Sequence, residues 1–292
     1  MMIADKWQDF EVIATGNGEK LERWGDVYLL RPDPQVIWQP PFDLSSYKGL
    51  NAHYYRDSEG GGRWRTKKPF KDEWVVSYGE LKFLVKPMGF KHTGLFPEQA
   101  INWDICSKII KNEKKEVKVL NLFGYTGGAT VACAKAGAFV THVDAAKGMV
   151  DRCKQNANLS QIPTDRIRYI VDDCKKFILR EIKRGKKYNA VIMDPPSYGR
   201  GPNGEVWKIE DSLYDLIELV KQVLEEPVFF LINSYTTGLQ PTVISNLLSI
   251  AMSDYDGKTT SYEVCLPISD KSKGELLLPC GCSGLWQKNF KG

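Results

Sequence analysis

A chain of 292 residues, 42% hydrophobic and 26% charged, has a globular composition and more length than a single typical domain needs, which excludes disordered and fibrous classes. The formal net charge of +4 permits a polyanionic partner without requiring one. The N-terminus MMIADKWQDF has no basic leader followed by an apolar run, and no apolar stretch reaches bilayer length, so the expectation is a cytoplasmic protein with no membrane partner. The seven cysteines are odd in number and scattered, as in a reducing compartment. With only three histidines, and with Cys280 and Cys282 in a CGC pair that lacks zinc-knuckle spacing, no metal is expected.

Residues 1–88 are expected to form a small β-rich domain. FEVIATG, DVYLLRP, QVIWQP and WVVSYGELKFLVKP are short runs rich in valine, isoleucine and aromatics, broken by Gly, Pro and Asn-Gly. Within it, EGGGRWRTKKPFKDEW interleaves Arg63, Arg65, Lys67, Lys68 and Lys71 with Trp64, Phe70 and Trp74. Such a loop is either a solvated hairpin or a surface that touches a phosphate backbone and stacks on a base.

From residue 89 to 292 the periodicity changes. PEQAINWDICSKIIKN predicts a helix opened by Pro97, with Ile101, Ile105 and Ile109 at four-residue steps. Strands and helices then alternate: EVKVLNLF, ATVACAKAG, FVTHVD, AAKGMVDRCKQNANL, RIRYIVDD, CKKFILREIKRG and YNAVIMDPP. EDSLYDLIELVKQVLEE carries Leu213, Leu216, Ile217, Val220 and Leu224 on one stripe, and PVFFLINSY follows as a strand. This rhythm predicts an α/β fold, a mostly parallel sheet covered on both faces and closed by antiparallel last strands.

In such sheets ligands bind beyond the carboxyl ends of the strands. Gly124, Gly127 and Gly128 follow VLNLF, where a glycine turn lets backbone approach a ligand. Asp144 ends the next strand, 20 residues after Gly124, the separation of a ribose-binding acid. Asp172 and Asp173 end the third strand and Asp194 the fourth; each acid has a structural alternative as the N-cap of the following helix. The dinucleotide pattern G-x-G-x-x-G and the phosphate-loop pattern are both absent, which disfavours an NAD-dependent oxidoreductase and fits a nucleoside without pyrophosphate, such as S-adenosylmethionine. In VIMDPPSYGRGPNGEVW, Pro195 and Pro196 stiffen the backbone so that nearby carbonyls can accept from a flat nitrogenous group, with a plain Pro-Pro turn as the alternative.

HTGLFPEQ, NLFGYTGG, VDAAKGMV, the Asp172-Asp173 pair and DPPSYGRGP, in that order, resemble the class I S-adenosylmethionine-dependent methyltransferases with their Rossmann-like sheet. The chain is similar in particular to the bacterial group related to the 23S ribosomal RNA 5-methylcytosine methyltransferases, over residues 89 to 292. The resemblance implies that Asn121, Phe123, Gly124, Tyr125, Thr126 and Gly127 border the methionine part of the cofactor, with Gln99 lining the same pocket. It implies that Asp144 binds the ribose and that Asp173, with the Cys174 N–H nearby, takes the adenine amino group. Asp194, Pro195 and Pro196 would face the methyl acceptor, a base in RNA.

Exocyclic-amine methyltransferases place an aromatic directly after the two prolines, whereas here Ser197 stands there and Tyr198 one later, both candidate substrate contacts. Methylation at carbon 5 of a pyrimidine needs a thiolate, because that carbon is not nucleophilic until the ring is activated. Cys280 is the candidate, with an inert thiol as its alternative. A flipped base would stack on Tyr198, Tyr125 or Trp207. The β-rich domain, through Arg63 and Arg65, would dock the RNA backbone. A small-molecule or protein methyltransferase and a non-catalytic RNA adaptor are the rival readings, and the sequence leaves room for a homodimer.

Overall fold

A computed structural model describes residues 1–57, 61–89, 91–200 and 206–289, so Gly60 of the glycine-rich loop and Gly201 and Pro202 of the DPPSYGRGP motif lie outside the described residues. Its contacts divide the chain into two units. One comprises residues 1–2, 101–264 and 280–292, the other residues 3–100 and 265–279. The contact boundary therefore differs from a division at 88/89: residues 89–100, and a segment from near the C-terminus, pack with the N-terminal strands.

In the N-terminal part of the chain, β1 (Met2–Ile3) is followed by β2 (Phe10–Gly16), β3 (Glu19–Trp24), β4 (Val27–Pro32), β5 (Ala52–Arg56) and β6 (Gly62–Thr66), and β2 to β6 form a five-stranded sheet in chain order. The Asn17-Gly18 link between β2 and β3 takes left-handed backbone at both residues, φ 52° and 77°, the turn whose twist suits a tight hairpin. Ala14, Leu21, Leu30, Leu44 and Leu50 close the core of this unit. Glu22 is buried on β3 and takes two hydrogen bonds from Arg31 of β4, at 2.6 and 2.8 Å. β7 (Trp74–Tyr78) and β8 (Leu81–Val85) form a separate antiparallel hairpin.

The other unit alternates helix and strand: α1 (Ala100–Asn112), β9 (Lys118–Leu122), α2 (Gly128–Lys135), β10 (Phe139–Asp144), α3 (Lys147–Leu159), β11 (Ile167–Val171), α4 (Cys174–Lys183) and β12 (Tyr188–Met193). A short hairpin of β13 (Tyr198–Arg200) and β14 (Val206–Lys208) follows, then α5 (Ile209–Lys221), β15 (Leu224–Ser234), α6 (Pro241–Ala251), β16 (Gly257–Pro267) and β17 (Leu277–Lys288). The sheet order is β1-β16-β17-β15-β12-β9-β10-β11; β15, β12, β9, β10 and β11 run parallel, and β17 pairs antiparallel to β15. From β9 the chain builds outward through β10 and β11, then returns to β12 on the other side. In open parallel sheets ligands bind at such a reversal, which here falls at the carboxyl ends of β9 and β12.

On one face of this sheet Leu120, Leu122, Val191 and Met193 pack on Phe177, Ile178, Leu213, Leu216 and Ile217, so the expected stripe is buried from Leu213 to Val220, whereas Leu224, also expected on it, lies beyond the end of α5 and opens β15. The buried stripe of α1 differs from the isoleucine steps. It consists of Asn102, Trp103, Cys106, Ile109 and Ile110, while Ile101 and Ile105 are only half-buried. Asn102 is tolerated inside because its amide is hydrogen-bonded on both sides, to Tyr262 and Ser283.

Candidate active site

The turn after β9 is more strained than its glycines suggest. Phe123 and Tyr125, neither of them glycine, have φ of 56° and 50°, a left-handed conformation that side chains rarely adopt and that concentrates at functional sites. Gly127 shares it at φ 86° and is the N-cap of α2. Gly124 does not; a Cβ there would stand 2.4 Å from the His142 ring. At Gly127 it would meet Cys153 Sγ at 2.1 Å, and at Gly128 the Trp103 ring at 2.5 Å. These glycines let the turn seat closely on the protein's own interior, a packing requirement that the sequence does not announce.

The turn is held by Asp144. Its Oδ2 accepts the Tyr125 N–H at 2.9 Å and its Oδ1 accepts the Ala146 N–H at 2.8 Å. A carboxylate has about four lone-pair sites, so these two bonds leave acceptor capacity for hydroxyls. At the end of β11, Asp173 realises its structural alternative: it is the N-cap of α4, Oδ1 accepting from Lys176 N at 2.8 Å, and it is otherwise exposed. Cys174 is buried behind it, accepts the Phe123 N–H on sulfur at 3.4 Å, and burial pushes its thiol up to about 12.

Asn121 sits on β9 with its side chain turned into the interior. Its Nδ2 donates to Thr130 Oγ1 at 2.8 Å, and that hydroxyl lies 2.8 Å from His142 Nδ1. Thr126 is buried, with its carbonyl taken by Asn156 Nδ2 at 2.8 Å. Beneath the turn, burial lowers His142 to about 4, so the ring is neutral at ordinary pH. No sequence signal beyond the position of His142 two residues before Asp144 marks this polar layer.

At the end of β12, Asp194 Oδ1 accepts from Asn233 Nδ2 at 3.1 Å. The following corner is braced: Trp207 Nε1 donates to the Pro196 carbonyl at 2.5 Å, Ile209 N to the Ser197 carbonyl at 3.1 Å, and Thr236 Oγ1 to Ser197 Oγ at 2.6 Å. The Pro196 carbonyl, one of those expected to read a base, thus already accepts from an indole. Trp207 also lies 6.0 Å from the Phe123 ring, which ties the proline corner to the strained turn. Tyr198 is 52% exposed.

Cys280 is the fourth residue of β17. Because Cys282 pairs with Ser234 in the antiparallel register, Cys280 is carried past the end of β15, to the sheet edge at which Asp194 and Thr236 lie. It is the one cysteine of the seven that is not buried. Cys282 is unsuited to nucleophilic attack, since its Sγ donates to the Leu239 carbonyl at 3.3 Å and burial pushes the thiol up to about 11.

Gln99, Arg63 and Arg65 belong to the other unit. Gln99 closes a 3-10 turn, Pro97–Gln99. Arg63 and Arg65 are exposed on β6, opposite Tyr55 and His53 of β5, and the Arg65 guanidinium lies 4.6 Å from the Tyr55 ring centre. Trp64 faces the other way, its indole donating to the Met88 carbonyl at 2.9 Å. Among the described residues there is no cluster of three metal-ligating side chains, and no helix is long and apolar enough to cross a membrane.

Comparison with known proteins agrees with this geometry. A family model described as S-adenosylmethionine-dependent methyltransferase matches residues 16–222. The crystal structure of an S-adenosylmethionine-dependent methyltransferase from Agrobacterium tumefaciens is 33% identical, with a TM-score of 0.89 over 97% of this chain and 91% of that one. A Methanocaldococcus jannaschii protein, provisionally named as a ribosomal RNA large subunit methyltransferase, is 34% identical over 63% of this chain and 49% of its own length. Ribosomal RNA large subunit methyltransferase I of Salmonella arizonae is 31% identical over 40% of this chain and 28% of its own length. The matches thus span half or less of these two curated relatives. With a family model covering most of its length and a near-complete structural match, the chain belongs to the S-adenosylmethionine-dependent methyltransferase family.

Proposed function

We propose that this protein methylates a base in RNA, ribosomal RNA first, with S-adenosylmethionine as donor, in the cytoplasm. The observation that carries the reading is the convergence, at the carboxyl ends of four adjacent parallel strands, of the Phe123–Gly127 turn, Asp144, Asp173 and the Asp194-Pro195-Pro196 corner. The names of the ribosomal RNA methyltransferase relatives support the substrate class.

The residues present fit the cofactor. Asp144 keeps acceptor sites for the ribose hydroxyls while anchoring the turn, and the second oxygen of Asp173, at an exposed helix N-terminus, suits an adenine amino group. Phe123, Gly124, Tyr125, Thr126 and Gly127 would border the methionine part through turn backbone. Asn121 would act from behind, since its amide is engaged by Thr130. When bound, the sulfonium supplies an already activated methyl group, so the protein's contribution is positioning. Asp194 would hold the edge of the flipped base, Trp207 and Thr236 keep the proline corner in place, and Tyr198 offers an exposed ring for stacking. Cys280 would add to carbon 6 of a pyrimidine if carbon 5 is the acceptor, which its partial exposure and its place past the end of β15 support. The β-rich unit would dock RNA through Arg63 and Arg65, side by side on one face of an edge strand.

Incubation with methyl-labelled S-adenosylmethionine and ribosomal RNA from a strain lacking the gene, followed by nucleoside mass spectrometry, tests the reading. A labelled 5-methylpyrimidine that disappears with Cys280→Ala supports both the substrate and the nucleophile. Label on a nitrogen removes Cys280 from the chemistry, and no label on RNA, with cofactor binding intact, points to a protein or small molecule.

A further inference from the structure

A file of buried polar side chains leads to Asp194 from the far side of the sheet. Tyr262 of β16 donates its hydroxyl to Asn102 Oδ1 at 2.7 Å, and Asn102 Nδ2 donates to Ser283 Oγ at 2.9 Å. Ser283 of β17 donates to Asn233 Oδ1 at 2.9 Å, and Asn233 of β15 donates to Asp194 Oδ1 at 3.1 Å. Asn102, Ser283 and Asn233 are at most 2% exposed and Tyr262 is 7% exposed.

The polarity of every link follows from its end. A carboxylate only accepts, so Asn233 must present its amide nitrogen to Asp194 and its oxygen to Ser283. Ser283 must then donate forward and accept from Asn102, whose oxygen is left for the Tyr262 hydroxyl. Four donors thus point the same way, an arrangement in which each bond polarises the next. Burial raises the Tyr262 hydroxyl above its ordinary value, so it holds its proton at the head of the file.

An ordinary core position would carry an apolar side chain at Asn102, Asn233 and Ser283, because a partly satisfied polar network is worse than none. Three separate strands and one helix instead supply matched partners that serve a single carboxylate. We infer that Tyr262, Asn102, Ser283 and Asn233 are positioning residues, a donor relay that fixes the direction in which Asp194 presents its carboxylate to the methyl acceptor. The relay rests on the proposed function for the placing of Asp194 at the methyl acceptor.

Two measurements test it. The first needs no turnover: the Asn233 side-chain amide signal, identified in nitrogen-15 spectra by its loss in Asn233→Ala, is expected to shift in Asp194→Asn and in Tyr262→Phe. A signal indifferent to both overturns the relay, whatever the substrate proves to be. The second is kinetic, with the RNA substrate. Asn233→Ala should lower kcat roughly a hundredfold, as misplacement of a positioned group does, and Tyr262→Phe, three links further along the file, by less, about tenfold. Cofactor Kd should stay within about twofold of wild type in both, since the Asp144 turn is untouched. Adding Tyr262→Phe to Asn233→Ala should lower kcat no further. Asn233→Asp should regain activity relative to wild type as the pH falls, because a protonated carboxyl again donates. Additive effects, or an equal fall in cofactor affinity, would show a merely structural network. Wild-type protein inactive on RNA would defeat the proposed substrate and leave the spectroscopic test of the relay standing.

Discussion

Asp144 accepts the backbone N–H of Tyr125 at 2.9 Å, and Tyr125 is one of two non-glycine residues in its turn held in left-handed backbone. A single carboxylate therefore stabilises the strained conformation on one side and, in the proposed function, receives the ribose on the other. Asp144→Ala should weaken S-adenosylmethionine binding at least tenfold, or about 1.4 kcal/mol. Calorimetric titration checks this, and an unchanged affinity removes Asp144 from the cofactor site.

Gly124 is required by packing. Gly124→Ala drives a methyl group into the His142 ring, 2.4 Å away, and His142 is itself bonded to Thr130. Overpacking of this kind destabilises by about 1–3 kcal/mol. Urea unfolding should show that loss, and a variant as stable as wild type would mean that the turn can lift off His142 freely.

His142 also sets a pH dependence. Burial lowers its folded value to about 4 from an ordinary 6.5, so the unfolded chain binds a proton that the folded one refuses. Stability is therefore complete above about pH 6.5 and falls as the pH drops toward 4, by roughly 2 kcal/mol at pH 5 from this group. In His142→Asn the unfolding free energy should decline less between pH 8 and pH 5; an identical slope would assign the acid sensitivity to other groups.

In the N-terminal unit the test is Arg31. Burial raises Glu22, and the Arg31 and Lys20 charges, with hydrogen bonds from Arg31 and Trp24, more than reverse this, so that Glu22 titrates below its ordinary value of 4.5. Its contribution is present above that pH and is lost as the pH falls below it. Arg31→Met strands a buried carboxylate and should destabilise the unit by about 3–5 kcal/mol, whereas Glu22→Leu combined with Arg31→Met should recover much of the loss. Hydrogen exchange of the β3 and β4 amides reads both; equal protection in wild type and Arg31→Met would discount the pair.

What the sequence determined by itself was whatever depends on neighbours in the chain. The change from short β runs to alternating strands and helices comes from periodicity, the Asn17-Gly18 hairpin from two residues that tolerate positive φ, and the order of strand-end acids from position alone. Tertiary structure decided what joins distant segments. Asn102 and Ser283 are 181 residues apart, Asn233 and Ser283 are 50 apart, and Asn233 and Asp194 are 39 apart. In sequence Asn102, Asn233 and Ser283 read as unremarked polar residues, and only Asp194 stands out, as a strand-end acid. Likewise nothing near Gly124 in sequence says that it packs on His142, which β10 brings beneath it. The physical reason is the same throughout: local backbone preference is written in adjacent residues, whereas the satisfaction of a buried polar group depends on which strand the sheet order sets beside it.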